Sequence, residues 1–292
     1  MLKKYRHLIR RANVVLEALP YLKQFHDKII VIKYGGAAMQ NDELKREVIQ
    51  DVVLLKYVGM HPVIVHGGGP EISKSLKRKG IETRFVQGMR FTSKKVLEVV
   101  ENVLGNKVNA EICRMIRKEG GKPKSYCGKK GKVIKARKLW VKDKNGRYLD
   151  LGLIGKAIGI KYRYLYKMIK KGYIPVLSPI GVGRKGQTFN INADFAAAKV
   201  AAYLNAEKLI LMTDVRGVLN KKGKLISEVD AKKIRRMIDN ETISGGMIPK
   251  VQCGLTALKH GANNVHIIDG RVPHAVLLEL FTDYGIGTMV VK

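Results

Sequence analysis

The sequence predicts an α/β fold: a mainly parallel open sheet with helices on both faces, preceded by a helix that stands outside it. Short continuous apolar runs alternate with segments of helical period along most of the chain, the signature of strands covered on both sides. Two of those runs end in glycine clusters that lead directly into helices, as ligand-binding turns do at the carboxyl end of a parallel sheet. The 292 residues are 46% hydrophobic, with 30 Gly against 8 Pro, enough for one large domain or two lobes sharing a sheet.

Taken in order, Leu8, Ile9, Ala12, Val15, Leu16 and Leu19 recur at helical spacing, predicting an amphipathic helix over 5–19 that ends before Pro20. Ile29-Ile30-Val31-Ile32-Lys33 reads as a buried strand that stops at Gly35-Gly36, and Asn41-Asp42-Glu43 opens a helix to Tyr57. The pattern repeats with Pro62-Val63-Ile64-Val65, the cluster His66-Gly67-Gly68-Gly69-Pro70, and a helix over 71–79. A helix follows over 93–119. Residues 128–155 alternate around Trp140, with Lys144-Asn145-Gly146-Arg147 as a hairpin turn. Residues 173–178 and 208–213 read as strands, 193–204 as a buried Ala-rich helix, 231–238 and 247–260 as helices, and 264–268 as the last core strand.

Composition removes several classes of function. No apolar run reaches the roughly 18 residues of a membrane span. Cys113, Cys127 and Cys253 are scattered, which excludes a disulfide framework and a Cys-based zinc site. No histidine pair has metal-ligand spacing, so no metal site is expected. No apolar signal segment follows the basic N-terminus, so the expected compartment is the cytoplasm, or the plastid stroma for an organelle-encoded chain. The formal net charge is +32. It is dispersed along the chain and comes without a zinc finger or RNA-binding signature, so it reads as a solvated lysine-rich surface that attracts anions, with nucleic acid not expected as a partner.

The chemistry should lie where the two glycine clusters meet the helices. Glycine brings backbone N–H groups close to a phosphate, and a helix N-terminus adds a favourable dipole. Lys33, two residues before Gly35, is placed to reach a phosphoryl group as a point charge. No G-x-x-x-x-G-K-[ST] is present. Gly181-Val182-Gly183-Arg184-Lys185-Gly186 matches G-x-G-x-x-G, but no helix opens after it, and it reads as a flexible glycine-rich loop.

Four more segments complete a pattern: Gly88-Met89-Arg90-Phe91-Thr92, Asn190-Ile191-Asn192-Ala193-Asp194, Thr213-Asp214-Val215-Arg216-Gly217-Val218, and Ser244-Gly245-Gly246-Met247-Ile248-Pro249-Lys250. With the two glycine clusters, and in this order, they make the chain resemble the amino-acid kinase family from about residue 19 to residue 289. Within that family the chain is similar to the arginine-biosynthetic branch that phosphorylates N-acetyl-L-glutamate. The resemblance implies a three-layer sandwich and transfer of the γ-phosphoryl of ATP, brought with Mg²⁺, to the substrate's side-chain carboxylate. It implies that Lys33 acts on the transferred phosphoryl, Lys250 on the leaving side, and that Asp194 orients both. Gly68, Gly69, Arg90 and Asn190 would bind acetylglutamate, with Arg90 on its α-carboxylate. Gly35, Gly36, Thr213, Asp214, Gly246 and Met247 would line the nucleotide. Taken singly, Asp194 also suits the N-cap of the Ala-rich helix, and Asp214 an ordinary turn.

The resemblance further divides the chain into an N-terminal extension (1–27), an acetylglutamate lobe (28–205) and an ATP lobe (206–292), with 28–270 forming one kinase domain. The extension resembles helices that interlace dimers into a hexameric ring in arginine-inhibited members. It implies arginine as an effector and the PII nitrogen-signalling protein as a candidate partner. Tyr284 stands where such members usually carry an acid, so arginine feedback is expected to be weak. A competing class, a basic nucleic-acid- or partner-binding protein on the same scaffold, has no need of Lys33, Arg90, Asp194 and Lys250 together.

Overall fold

The computed structural model describes residues 2–143, 145–283 and 285–292, with side chains described from Tyr5 onward. The expectation placed on Tyr284, and Lys144 of the hairpin turn, lie outside the described residues. The chain opens with α1 (Leu2–Glu17) and α2 (Leu19–Phe25). Pro20 does not end a helix as expected; it sits in the first turn of α2, where its missing N–H costs nothing. Every described side chain of α1 from 5 to 17 is exposed. Then come β1 (Ile29–Tyr34), a 3₁₀ turn (Gly36–Met39), α3 (Asp42–Tyr57), β2 (His61–His66), α4 (Gly69–Arg78) and the short hairpin β3 (Phe85–Val86) and β4 (Met89–Arg90). Asn41 caps α3 through the N–H groups of Glu43 and Leu44.

The helix expected over 93–119 is continuous but not uniform. α5 (Lys94–Asn102) passes through a π-helical segment (Val103–Asn109) into α6 (Ala110–Lys118). β5 (Pro123–Tyr126), β6 (Ile134–Lys138), the hairpin β7 (Val141–Lys142) and β8 (Tyr148–Leu149), and β9 (Gly155–Ile160) follow, then α7 (Tyr162–Lys170) and β10 (Ile174–Leu177). Next are β11 (Ile180–Val182), β12 (Thr188–Asn190), α8 (Ala193–Tyr203), β13 (Lys208–Thr213), β14 (Glu228–Val229), α9 (Ala231–Asp239), α10 (Met247–Lys259), β15 (Asn264–Asp269), α11 (Ala275–Leu280) and β16 (Thr288–Val290).

The main sheet has the order β14-β16-β15-β13-β1-β2-β10-β5, parallel throughout except for β15 against β16. β15 is therefore not the last core strand. β5 escapes the sequence pattern because it is a polar edge strand that begins with proline. The glycine-rich 181–186 stretch is part of the antiparallel β11–β12 hairpin rather than a flexible loop. Its turn is closed by Gly183 and Gln187. A second sheet, β12-β11-β6-β9, adjoins α8, and the chain order reverses between β1 and β13, the position where open α/β sheets bind ligands.

Side-chain alternation along β1 then decides which face Lys33 takes. Ile30, Ile32 and Tyr34 join the core beneath α3, α5 and α11, whereas Ile29 and Val31 join the core beneath α8 and α10. Lys33 has the parity of the second set and points toward α8 and α10.

Behind the second glycine cluster lies a buried polar relay. His66 Nδ1–H donates to the Gly67 carbonyl at 2.8 Å, and Nε2 accepts from Asn109 Nδ2 at 3.1 Å. Asn109, the last residue of the π segment, also donates to the Val176 carbonyl at 3.0 Å. Both partners of His66 suit the neutral ring, and burial pushes its pKa down to about 4. An unfolded histidine takes up a proton below about 6.5, whereas folded His66 does so only near 4. The contribution of His66 to stability should therefore fall as pH is lowered through that interval, by about 3 kcal/mol in full. Urea midpoints measured across the window should show this fall as the difference between the parent and His66→Gln, the parent losing stability relative to the variant as pH drops.

Candidate active site

Asp194 is the centre of the site. It stands in the first turn of α8, capped not by its own side chain but by Asn192, which accepts from the N–H groups of Asp194 and Phe195. The N-cap alternative for Asp194 is thereby removed, and its carboxylate is free for other partners. Lys33 Nζ lies 3.0 Å from Oδ1 as an ion pair, and Lys250 Nζ donates to Oδ2 at 3.1 Å. Lys33 also donates to the Met212 carbonyl at the end of β13, at 3.2 Å. All three charged side chains are largely shielded from solvent. Burial would raise the pKa of Asp194, but the fields of Lys33 and Lys250 outweigh it and hold the carboxyl below its ordinary range. At neutral pH the cluster is two cations around one anion, a net positive centre.

The first glycine turn packs against this centre. A Cβ on Gly35 would lie 3.0 Å from Lys33 Nζ. Gly36 has φ +71°, and a side chain there would collide with the Asp214 carboxylate. Asp214 itself accepts from the Ala37 N–H at 2.7 Å, so it clamps the turn after β1 onto the end of β13. Lys33, Gly35, Gly36, Gly68, Gly69 and Asp194 line one cavity of about 250 Å³. Gly246 and Met247 sit at the start of α10, the helix that carries Lys250. Thr213 is buried at the end of β13.

A second cavity of about 220 Å³ shares Gly67, Gly68 and Gly69 with the first. Arg90 and Asn190 line it, with Phe85 and Met89 from the β3–β4 hairpin. Arg90 is buried. Its Nη2 donates to Ser73 Oγ at 2.7 Å and the Gly69 carbonyl at 3.3 Å, and its guanidinium lies 4.6 Å from the centre of the Phe85 ring. Nη1 is buried and has no hydrogen-bond partner among the described residues. Burial lowers the arginine pKa, because the cation is held largely away from water. Asn190 Nδ2 donates to Thr92 Oγ1 at 3.2 Å, which fixes the amide at the cavity wall.

Of the residues expected from sequence, Lys33, Asp194 and Lys250 converge directly, and Gly68, Gly69, Arg90 and Asn190 share a cavity beside them. The nucleotide set is placed around the ends of β1 and β13 and the start of α10 without sharing a single cavity. Sequence reasoning missed the supports: Ser73 and Thr92, which hold Arg90 and Asn190, and the His66–Asn109 relay under Gly67. Asn192 stood in a quoted motif, and an Asn two residues before an Asp at a helix start was the available signal. Among the described residues, no three His, Cys, Asp or Glu side chains gather as metal ligands, and no helix is long and apolar enough to cross a membrane.

The amino acid kinase family matches residues 28–269. An acetylglutamate kinase from Heliobacterium modesticaldum is 50% identical over 291 residues, covering 97% of this chain and 99% of that protein. One from Caldanaerobacter subterraneus subsp. tengcongensis is also 50% identical, covering 99% of this chain and 96% of that protein. Among solved structures, the N-acetylglutamate synthase of Neisseria gonorrhoeae, complexed with coenzyme A and N-acetyl-glutamate, shares the fold. Its TM-score is 0.84 at 24% identity, over 95% of this chain and 62% of that one. The carbamate kinase of Giardia lamblia gives a TM-score of 0.64 at 16% identity, over 91% of this chain and 99% of that one. With a family match across most of its length, and relatives half identical from end to end, the chain belongs to the amino acid kinase family.

Proposed function

We propose that the chain transfers the γ-phosphoryl of ATP to the side-chain carboxylate of N-acetyl-L-glutamate, forming N-acetyl-L-glutamyl 5-phosphate in arginine biosynthesis. The full-length relatives named acetylglutamate kinase support the substrate. The observation that carries the mechanism is the buried Lys33–Asp194–Lys250 cluster beside two glycine turns.

A carboxylate oxygen of acetylglutamate attacks the γ-phosphorus, the bond to the β-phosphate oxygen breaks, and ADP leaves with that electron pair. The acceptor is already an anion, so no general base is required. Its difficulty is repulsion from the phosphate oxygens, and fixed cations in a shielded site counter it. Lys33 neutralises the transferred phosphoryl and Lys250 the leaving side, while Asp194 holds the two ammonium groups at a fixed separation. Gly35, Gly36, Gly68 and Gly69 present backbone N–H groups to the phosphoryl and acceptor. Arg90 Nη1 takes the acetylglutamate α-carboxylate, and Asn190 contacts the same substrate. Thr213, Asp214, Gly246 and Met247 line the nucleotide, which enters with Mg²⁺ as its substrate complex. In this reading 28–205 is the acetylglutamate lobe and 206–292 the ATP lobe of one domain, with Lys33, Gly35 and Gly36 reaching the phosphoryl from the first.

The exposed α1 supports a larger assembly. Leu8, Ile9, Val14, Val15 and Leu16 are all open to solvent, an apolar stripe that a second subunit would cover. A ring of interlaced dimers answers this need. Arginine as effector and the PII protein as partner rest on resemblance to ring-forming relatives.

Lys33→Ala and Lys250→Ala should each lower kcat about 10²–10³-fold while changing the acetylglutamate KM little, because both act on charge that develops during transfer. Steady-state ADP release checks this, and a near-normal kcat removes the assigned role. Arg90→Lys should raise the acetylglutamate KM about 10- to 100-fold and leave the ATP KM unchanged, since lysine keeps the charge but loses the forked geometry. An equal rise in the ATP KM would place Arg90 in the nucleotide site. Removing residues 1–16 should convert a species larger than a dimer into dimers, as read by light scattering; a dimeric full-length chain overturns the ring.

A further inference from the structure

We propose that the exposed groove around Trp140 binds single-stranded nucleic acid, at a site separate from the phosphoryl-transfer centre. β6 and β9 alternate buried and exposed residues, and their antiparallel register sets Arg137 directly opposite Lys156 on the outer face. Like charges facing each other across a strand pair destabilise it, so this face is built at a cost that an anion would remove. Of the nearby acids, Asp150 pairs with Lys138 of the groove at 2.7 Å and leaves Arg137 and Lys156 without it, and Asp143 accepts from the N–H groups of Asn145 and Arg147 within its own turn.

Beside these cations stand two exposed rings. Trp140 is 53% and Tyr148 66% exposed, and they meet edge to face with centroids 6.4 Å apart. Lys138 Nζ lies 4.4 Å from the centre of the Trp140 ring, and Lys142 Nζ 5.0 Å from that of Tyr148. Arg137, Lys138, Trp140, Tyr148 and Lys156 line an open groove of about 740 Å³. A single strand is the polyanion that uses every part of this surface: bases stack on the rings while successive phosphates follow the cations. An acidic peptide would satisfy the cations and leave the rings unused. The net charge of +32 supplies the long-range attraction.

Trp140 is the chain's single tryptophan, so its emission reports on this groove alone. Oligouridylate added to the full chain at low salt should quench that emission saturably, with an affinity that falls steeply as salt rises. Tyr148→Ala should weaken binding roughly tenfold by removing one stacking platform. Lys156→Glu should pair with Arg137 across the strands, raising the melting temperature while it weakens binding. Far-UV spectra matching the parent would establish that both variants fold. Unchanged emission on adding oligouridylate overturns the proposal. So does equal quenching by poly-L-glutamate, which would make the groove an acidic-peptide site, or parental affinity of Tyr148→Ala for a labelled oligouridylate.

Discussion

The arrangement of the whole molecule depends on one buried carboxylate shared by two ammonium groups. Two like charges cannot be brought together in a shielded site unless an opposite charge is fixed between them, and Asp194 is that charge. Its position requires three elements to meet at one point: the end of β1 for Lys33, the first turn of α8 for Asp194, and the first turn of α10 for Lys250. The main sheet supplies the convergence, because parallel strands put their carboxyl ends on one edge and the helices packed on that face start there. The cluster remains one cation in excess, the charge state that the proposed transfer of a phosphoryl group between anions needs.

Much of this was legible in the sequence because the determinants are local. A run such as Ile29-Ile30-Val31-Ile32 followed by two glycines says strand and turn without reference to anything distant. Asn41 before Asp42-Glu43 says helix start, and Asn41 caps α3 as that pattern requires. The ordered motifs carried the site, and Lys33, Asp194 and Lys250 come together despite sequence separations that no periodicity could bridge. What was not legible depends on partners chosen by the fold. β5 reads as a loop until β10 lies beside it, and α7, with Tyr162, Tyr164 and Tyr166, has residues that favour strands as readily as helices. Ser73 gives no sign in sequence that it holds Arg90. The nearest acceptable hydrogen-bond partner is a property of three dimensions.

The same distinction governs charge. Along the sequence the lysines and arginines are dispersed, and dispersal argues against a dedicated anion surface. The fold then folds Arg137 against Lys156 and sets Lys138 and Lys142 over aromatic rings, so local density arises from strand register. Dispersion in one dimension is not dispersion on a surface.

The π-helical segment between α5 and α6 acts as a phase shifter. In an uninterrupted α-helix each residue advances the side chains by about 100°, so the apolar stripe of Val96, Val99, Val100 and Val103 would continue near residues 107, 110 and 114. The buried positions are instead Val108, Ile112, Cys113 and Ile116. The wider turn absorbs the difference and lets two segments with out-of-step patterns present their apolar sides to one core. It also rotates Asn109 inward, onto His66 and the Val176 carbonyl. A chain one residue shorter in this segment would be a better helix by local geometry. Wound as an uninterrupted α-helix, the present sequence would have to choose between burying the α5 stripe and burying the α6 stripe with Asn109, the support behind the second glycine cluster.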